Sequence, residues 1–148
     1  MNTISARAGF LLPSALLCLA LFSGCQEPLP DADLLDNVWT LESIFAPGEP
    51  IILVGPARFV TIQFSDDSRL SGDSFCNQYG ATYMVSENGA LEIGSILTTL
   101  RGCLSNELHH NEDTYYLALP QSHSYRIDSH VLRLYYDDDS VLKYRLEV

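Results

Sequence analysis

Turn signals interrupt this sequence every eight to twelve residues from Val38 onward, and no other feature constrains the fold as much. Val38–Ile44 alternates, offering Trp39, Leu41 and Phe45 to a core. Phe59–Phe64 is rich in β-branched and aromatic residues and stops at Ser65-Asp66-Asp67-Ser68. Arg69-Leu70-Ser71-Gly72 then returns as the second arm of a hairpin. Residues 81–85 and 90–93 flank Ser86-Glu87-Asn88-Gly89, where Asn-Gly favours a tight hairpin turn. Residues 124–127, 131–136 and 141–146 read as a closing meander with turns at 128–130 and 137–140. The expected class is mainly β, a β-rich α+β chain. Its form is a small antiparallel curled sheet or partly open barrel with one helix.

That helix is the one stretch to break the period. Leu104, Leu108, Tyr115 and Leu119 fall on a helical stripe, with Glu107, Glu112 and Asp113 off it. Ser105 or Asn106 is placed to cap its start and Pro120 to end it, which gives a helix over 106–119. It is expected to cross between strands and close one mouth or flank of the sheet.

Ahead of the strands stands a different kind of segment. Arg7 is followed by an apolar run from Phe10 to Phe22, then by the small residues Ser23 and Gly24. Positive, apolar and small, in that order, is the pattern of a secretion signal. A run of about 13 residues is too short to cross about 30 Å of hydrocarbon, and Pro13 disfavours a spanning helix. The junction Leu21-Phe22-Ser23-Gly24-Cys25 resembles the bacterial lipobox, with Phe22 where leucine is commonest. That resemblance implies acyl chains on Cys25, with the membrane as its partner. Gln26, in place of the aspartate that favours inner-membrane retention, implies a periplasm-facing anchor in the outer membrane. The expected organisation is a signal over 1–24, an acylated cysteine and proline-bearing tether over 25–33, and one domain over 34–148.

Arg7 is the only charged side chain before Cys25, so 7 of the 8 basic residues and all 19 acidic ones remain after cleavage, a net charge of −12. So acidic a surface repels nucleic-acid phosphates, and no nucleic-acid partner is expected. Cys18 leaves with the signal and Cys25 is acylated. Cys76 and Cys103 then remain as a pair in an oxidising compartment. One disulfide is the default. A shared metal is the alternative, although neither cysteine has a second Cys or a His at ligand spacing.

The densest local signal is Ser71-Gly72-Asp73-Ser74-Phe75-Cys76-Asn77-Gln78-Tyr79-Gly80-Ala81-Thr82-Tyr83, followed by Thr98-Thr99-Leu100-Arg101-Gly102-Cys103 ahead of the helix. Here the chain resembles the META domain (HslJ-like) envelope proteins over about residues 34–146. The resemblance rests on Trp39, Phe64, Gly72, Cys76, Asn77, Tyr79, Gly80, Tyr83, Thr98, Thr99, Cys103 and Glu107. Leu100-Arg101-Gly102 departs from the Met or Ala common before the last cysteine. The resemblance implies a small barrel-like fold, often lipid-anchored and linked to envelope stress or drug tolerance. No catalytic residue is established for that family, so none carries over. The motif residues are expected to be structural: Cys76 and Cys103 staple a strand to the start of the helix, while Asn77, Thr98 and Thr99 pin turn backbones.

Other constellations have plain readings. His109 and His110 project about 100° apart on a helix and do not easily share one ion. His109 and Asp113 stand at i, i+4, and His123 and His130 fall in loops or strand ends. Asp66-Asp67 and Asp137-Asp138-Asp139 lack the spacing of a calcium loop and read as solvated hairpin tips. No nucleophile elbow is present. The paired tyrosines, Tyr115-Tyr116 and Tyr135-Tyr136, fill a core or wall a cavity. No catalytic residue, metal or cofactor is therefore expected. The expected function is a non-enzymatic envelope lipoprotein, active in stress tolerance or assembly through an envelope protein partner. Its rival is a module that holds a lipid or other apolar ligand in the curled sheet.

Overall fold

The computed structural model describes residues 33–55, 60–86 and 89–147. The signal, Cys25, all of the tether but Asp33, the start of the strand at Phe59, and Glu87-Asn88 lie outside the described residues.

Among the described residues, ten strands and one α-helix follow in the order β1 (Val38–Phe45), β2 (Ile52–Leu53), β3 (Thr61–Phe64), β4 (Arg69–Asp73), β5 (Gln78–Val85), β6 (Leu91–Ile93), β7 (Leu97–Thr98), α1 (Asn106–Ala118), β8 (Ser122–Asp128), β9 (Val131–Tyr136) and β10 (Ser140–Leu146). A 3-10 turn at Leu119–Gln121 joins α1 to β8. Neighbouring strands are antiparallel, in the order β6-β5-β4-β3-β1-β10-β9-β8. β2 adds to β1, and β7 to β5 beyond β6. The two ends of this order meet at the bridge between Ala90 and Ser124. The curled sheet is thus a nearly closed barrel.

Strand alternation explains most of the core. Leu132, Leu134 and Tyr136 of β9 point inward with Leu142 and Tyr144 of β10, and residues between them stay partly exposed. β1 departs from the simple pattern. Its pairing with β10 shifts register between Leu41 and Ser43, and this bulge changes which face each later residue occupies. Ile44 is therefore buried, and Phe45, expected in the core, is 38 % exposed.

The helix differs from its expected stripe at two residues. Leu104, placed on its buried stripe, lies before it and is 96 % exposed. Glu112, placed off the stripe, is 4 % exposed. The buried row is Leu108, Glu112, Tyr115 and Ala118, continued by Leu119, so a carboxylate stands where the pattern called for an apolar residue. Tyr115 explains how α1 fills the barrel. Its hydroxyl lies 2.6 Å from that of Tyr79 on β5 and 3.1 Å from that of Tyr144 on β10. These strands stand four places apart in the sheet, so the helix reaches across the lumen.

The barrel has two distinguishable ends. Leu35 bridges Phe64, which pairs with Leu70, so the chain enters at the Phe64–Leu70 end. The 74–77 turn, β7 and the start of α1 gather at the other, where Asp73 pairs with Gln78 and Tyr79 with Thr98.

Candidate functional site

The polar convergence of the molecule lies at this second end, around Glu112. Ser105 caps α1, its side chain accepting from the Leu108 N–H at 3.2 Å, and the first turns of the helix then carry Glu112 against the β4–β5 turn. Oε1 of Glu112 accepts from the Ser74 hydroxyl, from the Cys76 N–H at 3.0 Å and from the Asn77 N–H at 2.9 Å. Oε2 accepts from Asn77 Nδ2 at 2.8 Å. A buried carboxylate is costly unless paired or richly hydrogen-bonded, and four donors meet that requirement. Burial pushes its pKa upward, but the donors from Ser74, Asn77 and the two backbone amides prevail and hold it below the ordinary 4.5.

Asn77 extends the network. Its Oδ1 accepts from the Thr99 hydroxyl at 2.9 Å and the Arg101 N–H at 2.6 Å, and its Nδ2 also reaches the Arg101 carbonyl at 3.2 Å. Thr99 Oγ1 accepts from the Gln78 N–H at 3.1 Å. The Tyr116 hydroxyl lies 2.7 Å from Ser74 Oγ and 3.1 Å from Thr98 Oγ1. Cys76 and Cys103 are joined by a disulfide, which ties the β4–β5 turn to the segment before α1. Cys103 Sγ stands 3.6 Å from Glu112 Oε2; a disulfide sulfur carries no proton, so this is a contact and not a hydrogen bond.

Below this network lies a buried hydroxyl chain. Tyr144 donates to Tyr115, Tyr115 to Tyr79, and Tyr79 to the Thr61 carbonyl at 2.8 Å. Burial pushes the pKa of all three tyrosines up, so they remain neutral donors. Gly72 makes room for the chain's end: a Cβ there would stand 1.9 Å from the Thr61 oxygen and 2.9 Å from the Tyr79 hydroxyl.

The expected motif residues therefore divide. Asn77, Thr98, Thr99, Cys76 and Cys103 come together around Glu112, with Tyr79 and Gly72 directly beneath. Trp39 and Tyr83 belong to the core, where Tyr83 packs edge-on against Phe64 at 4.9 Å and donates to the Ser65 carbonyl at 2.7 Å. At Gly80 of β5 a Cβ would stand 3.4 Å from the Leu70 carbonyl, an ordinary contact. Glu107 is exposed in the first turn, and Glu112 is the helical glutamate that the motif engages. Ser74, Glu112 and Tyr116 are the site residues that sequence reasoning missed. The fuller stripe Leu108-Glu112-Tyr115-Leu119, at i, i+4, i+7 and i+11, was the available signal.

Among the surface cavities lined by described residues, two bear on this architecture. One of about 650 Å³ opens beside the network, lined by Thr99, Cys103, His109, Glu112, Asp113 and Tyr116 among others. His109 there approaches Asp113 at 3.6 Å. Leu100 and Leu104, on the loop that lines it, are 97 % and 96 % exposed, and Leu97 of β7, just before that loop, is 77 % exposed. Another cavity, of about 900 Å³, lies at the seam between β5, β6 and β8, with Tyr83, Met84, Val85, Ala90, Leu91 and His123 on its walls.

The sequence pattern that defines the META domain matches residues 32–147. No curated protein matches the chain. Among solved structures, one from Burkholderia xenovorans, determined by NMR, is 16 % identical over 99 % of both chains, with a TM-score of 0.60. Another NMR structure is 23 % identical over 77 % of this chain and 92 % of its own, with a TM-score of 0.58. A DUF4847 family protein from Bacteroides vulgatus is 13 % identical over 76 % of this chain and 93 % of its own, with a TM-score of 0.55. These likenesses support the fold.

Proposed function

The chain belongs to the META domain family, and from that premise we propose that it is a non-catalytic, lipid-anchored interaction module of the bacterial envelope. One observation carries this reading. The polar groups that converge at Glu112 are engaged with one another, while the leucines beside them are turned to solvent. A carboxylate with four donors is a poor base, because each hydrogen bond favours its ionised form. Leu97 lies in β7 and Leu100 and Leu104 follow on the next loop, and a contiguous apolar patch of such residues is the usual mark of a contact surface.

Placement agrees with the anchor. Leu35, which bridges Phe64, lies at the end of the barrel opposite β7 and the loop that follows it, so an anchor on the N-terminal side leaves Leu97, Leu100 and Leu104 at the far end of the domain from its point of attachment. An outer-membrane anchor would present this loop to partners in the periplasm. Site-specific photo-crosslinking from position 104 in cells tests the proposal. Discrete adducts that disappear in L97S/L100S are expected, and no adduct beyond those seen from exposed Met84 would refute it. For the anchor itself, Cys25→Ser should move the protein from the detergent phase to the aqueous phase.

The seam cavity favours a second reading, a module for an apolar ligand. Its volume lies in the range of small-molecule sites, about 300–1,000 Å³, and its walls include Tyr83, Met84, Val85 and Leu91. The barrel lumen itself is occupied by Tyr79, Tyr115 and Tyr144, which favours the seam over the inside of the curled sheet for such a ligand. Native mass spectrometry with added fatty acids distinguishes the two, since an unchanged apo mass leaves the interaction reading alone.

A further inference from the structure

We propose that Cys76, Cys103 and Glu112 form a latent site for a borderline-soft dication such as Zn²⁺, opened when the disulfide is reduced. The ligand atoms are already assembled: both sulfurs and a Glu112 oxygen lie within 4.8 Å of one another. The distance to the carboxylate suits an intervening ion. With Zn–S of about 2.3 Å and Zn–O of about 2.0–2.2 Å, a tetrahedral ion holds oxygen and sulfur about 3.5 Å apart. Glu112 Oε2 stands 3.6 Å from Cys103 Sγ. The two cysteine Cα atoms are 5.2 Å apart, so breaking the S–S bond lets side-chain rotation separate the sulfurs about one ion.

The donors are also the right kind. Oε1 receives three of the four hydrogen bonds, whereas Oε2 receives one and keeps coordination capacity on the side facing sulfur. The same hydrogen bonds hold the carboxylate in place before any metal arrives, as outer contacts do in established metal sites. Two thiolates and a carboxylate bring three negative charges together, which is unfavourable without a cation and matches the preference of zinc for sulfur with a harder ligand. Cys103 and Glu112 both line the 650 Å³ cavity, which supplies the entry path and leaves a fourth position to solvent.

The redox step requires a dithiol reductant. One of its thiolates attacks Cys103 Sγ and expels Cys76 as thiolate. Its second thiol then displaces Cys103 and closes the reductant's own disulfide. Two electrons and two protons pass to the protein, and metal binding releases the two protons to solvent.

Cobalt titration of the processed, acylated protein in detergent, whose remaining thiols are Cys76 and Cys103, reduced and then freed of dithiol under argon, tests the site. One Co²⁺ per chain with thiolate-to-metal charge-transfer absorption is expected, displaced by Zn²⁺. The oxidised chain should show no such band, and Glu112→Gln should bind at least tenfold more weakly. Absence of the band in the reduced wild type overturns the proposal, as does unchanged affinity in Glu112→Gln. X-ray absorption of the zinc-loaded wild type needs no variant. A shell of two sulfurs with oxygen or nitrogen neighbours is expected, and a shell without sulfur overturns the site.

Discussion

Glu112 holds three parts of the chain to one point: the β4–β5 turn through the Ser74 hydroxyl and two backbone amides, the 99–101 segment through Asn77, and α1 through its own backbone. Its carboxyl is lowered in the folded state, so its contribution to stability is present in full above the ordinary value of 4.5. It fades as pH falls through the lower folded value. Glu112→Gln keeps the shape but turns an amide N–H₂ toward either Asn77 Nδ2 or the amide nest. The expected cost is about 2 kcal/mol at neutral pH, the range for hydrogen bonds to a charged group. Urea unfolding of both oxidised proteins from pH 7 to pH 3 should show this difference shrink below about pH 4.5, a window set by the direction of that shift. Glu42, lowered chiefly by its hydrogen bond from Lys143, adds to the acid limb of both proteins and cancels in the comparison. A constant difference across the range would mean that Glu112 acts through packing alone.

Among the elements, α1 separates what the sequence makes legible from what it conceals. Its existence, its Ser105 cap and its stop near Pro120 follow from local chemistry, because caps and breakers act within a few residues. Which face is buried did not follow, because the rule that charged residues face water fails where tertiary donors wait for the charge. Those donors lie 35–38 residues away in sequence, beyond the reach of any periodicity. The Phe45 expectation failed for a related reason, since the bulge at Leu41–Ser43 is a property of the pairing with β10. By contrast, a polar motif around cysteines points to short-range hydrogen bonding: Asn77 accepts from the Arg101 N–H and Thr99 from the Gln78 N–H, whereas Thr98 reaches only the Thr99 carbonyl and the Tyr116 hydroxyl. Two leucines test the corrected face. Leu108→Ala should cost about 2–3 kcal/mol, as a buried side chain. Leu104→Ala should change stability by less than about 0.5 kcal/mol, as an exposed one. Chemical denaturation reads both, and equal effects would restore the original stripe.

At the scale of the whole molecule, the barrel is held unevenly around its circumference. β1 and β10 share six register positions and β9 joins them with six more, whereas β6 pairs with β5 at three. Across the seam, the described backbone pairing of β6's side with β8 is the Ala90–Ser124 bridge. Local opening follows the least-paired edge, so β6 should separate from β8 without global unfolding. Hydrogen exchange of the oxidised protein should then be at least tenfold faster at the amides of Leu91–Ile93 than at Leu132, Leu134 and Leu142. Uniform protection would show that α1 and the disulfide lock the barrel as one cooperative unit. The same measurement bears on function, because the 900 Å³ cavity lies on this seam. A fatty acid that binds there must slow exchange in β6 relative to β10, whereas a partner that docks on Leu97, Leu100 and Leu104 leaves the seam unchanged. Exchange with and without each candidate thus distinguishes a barrel that opens for a ligand from one that stays shut and works through its far end.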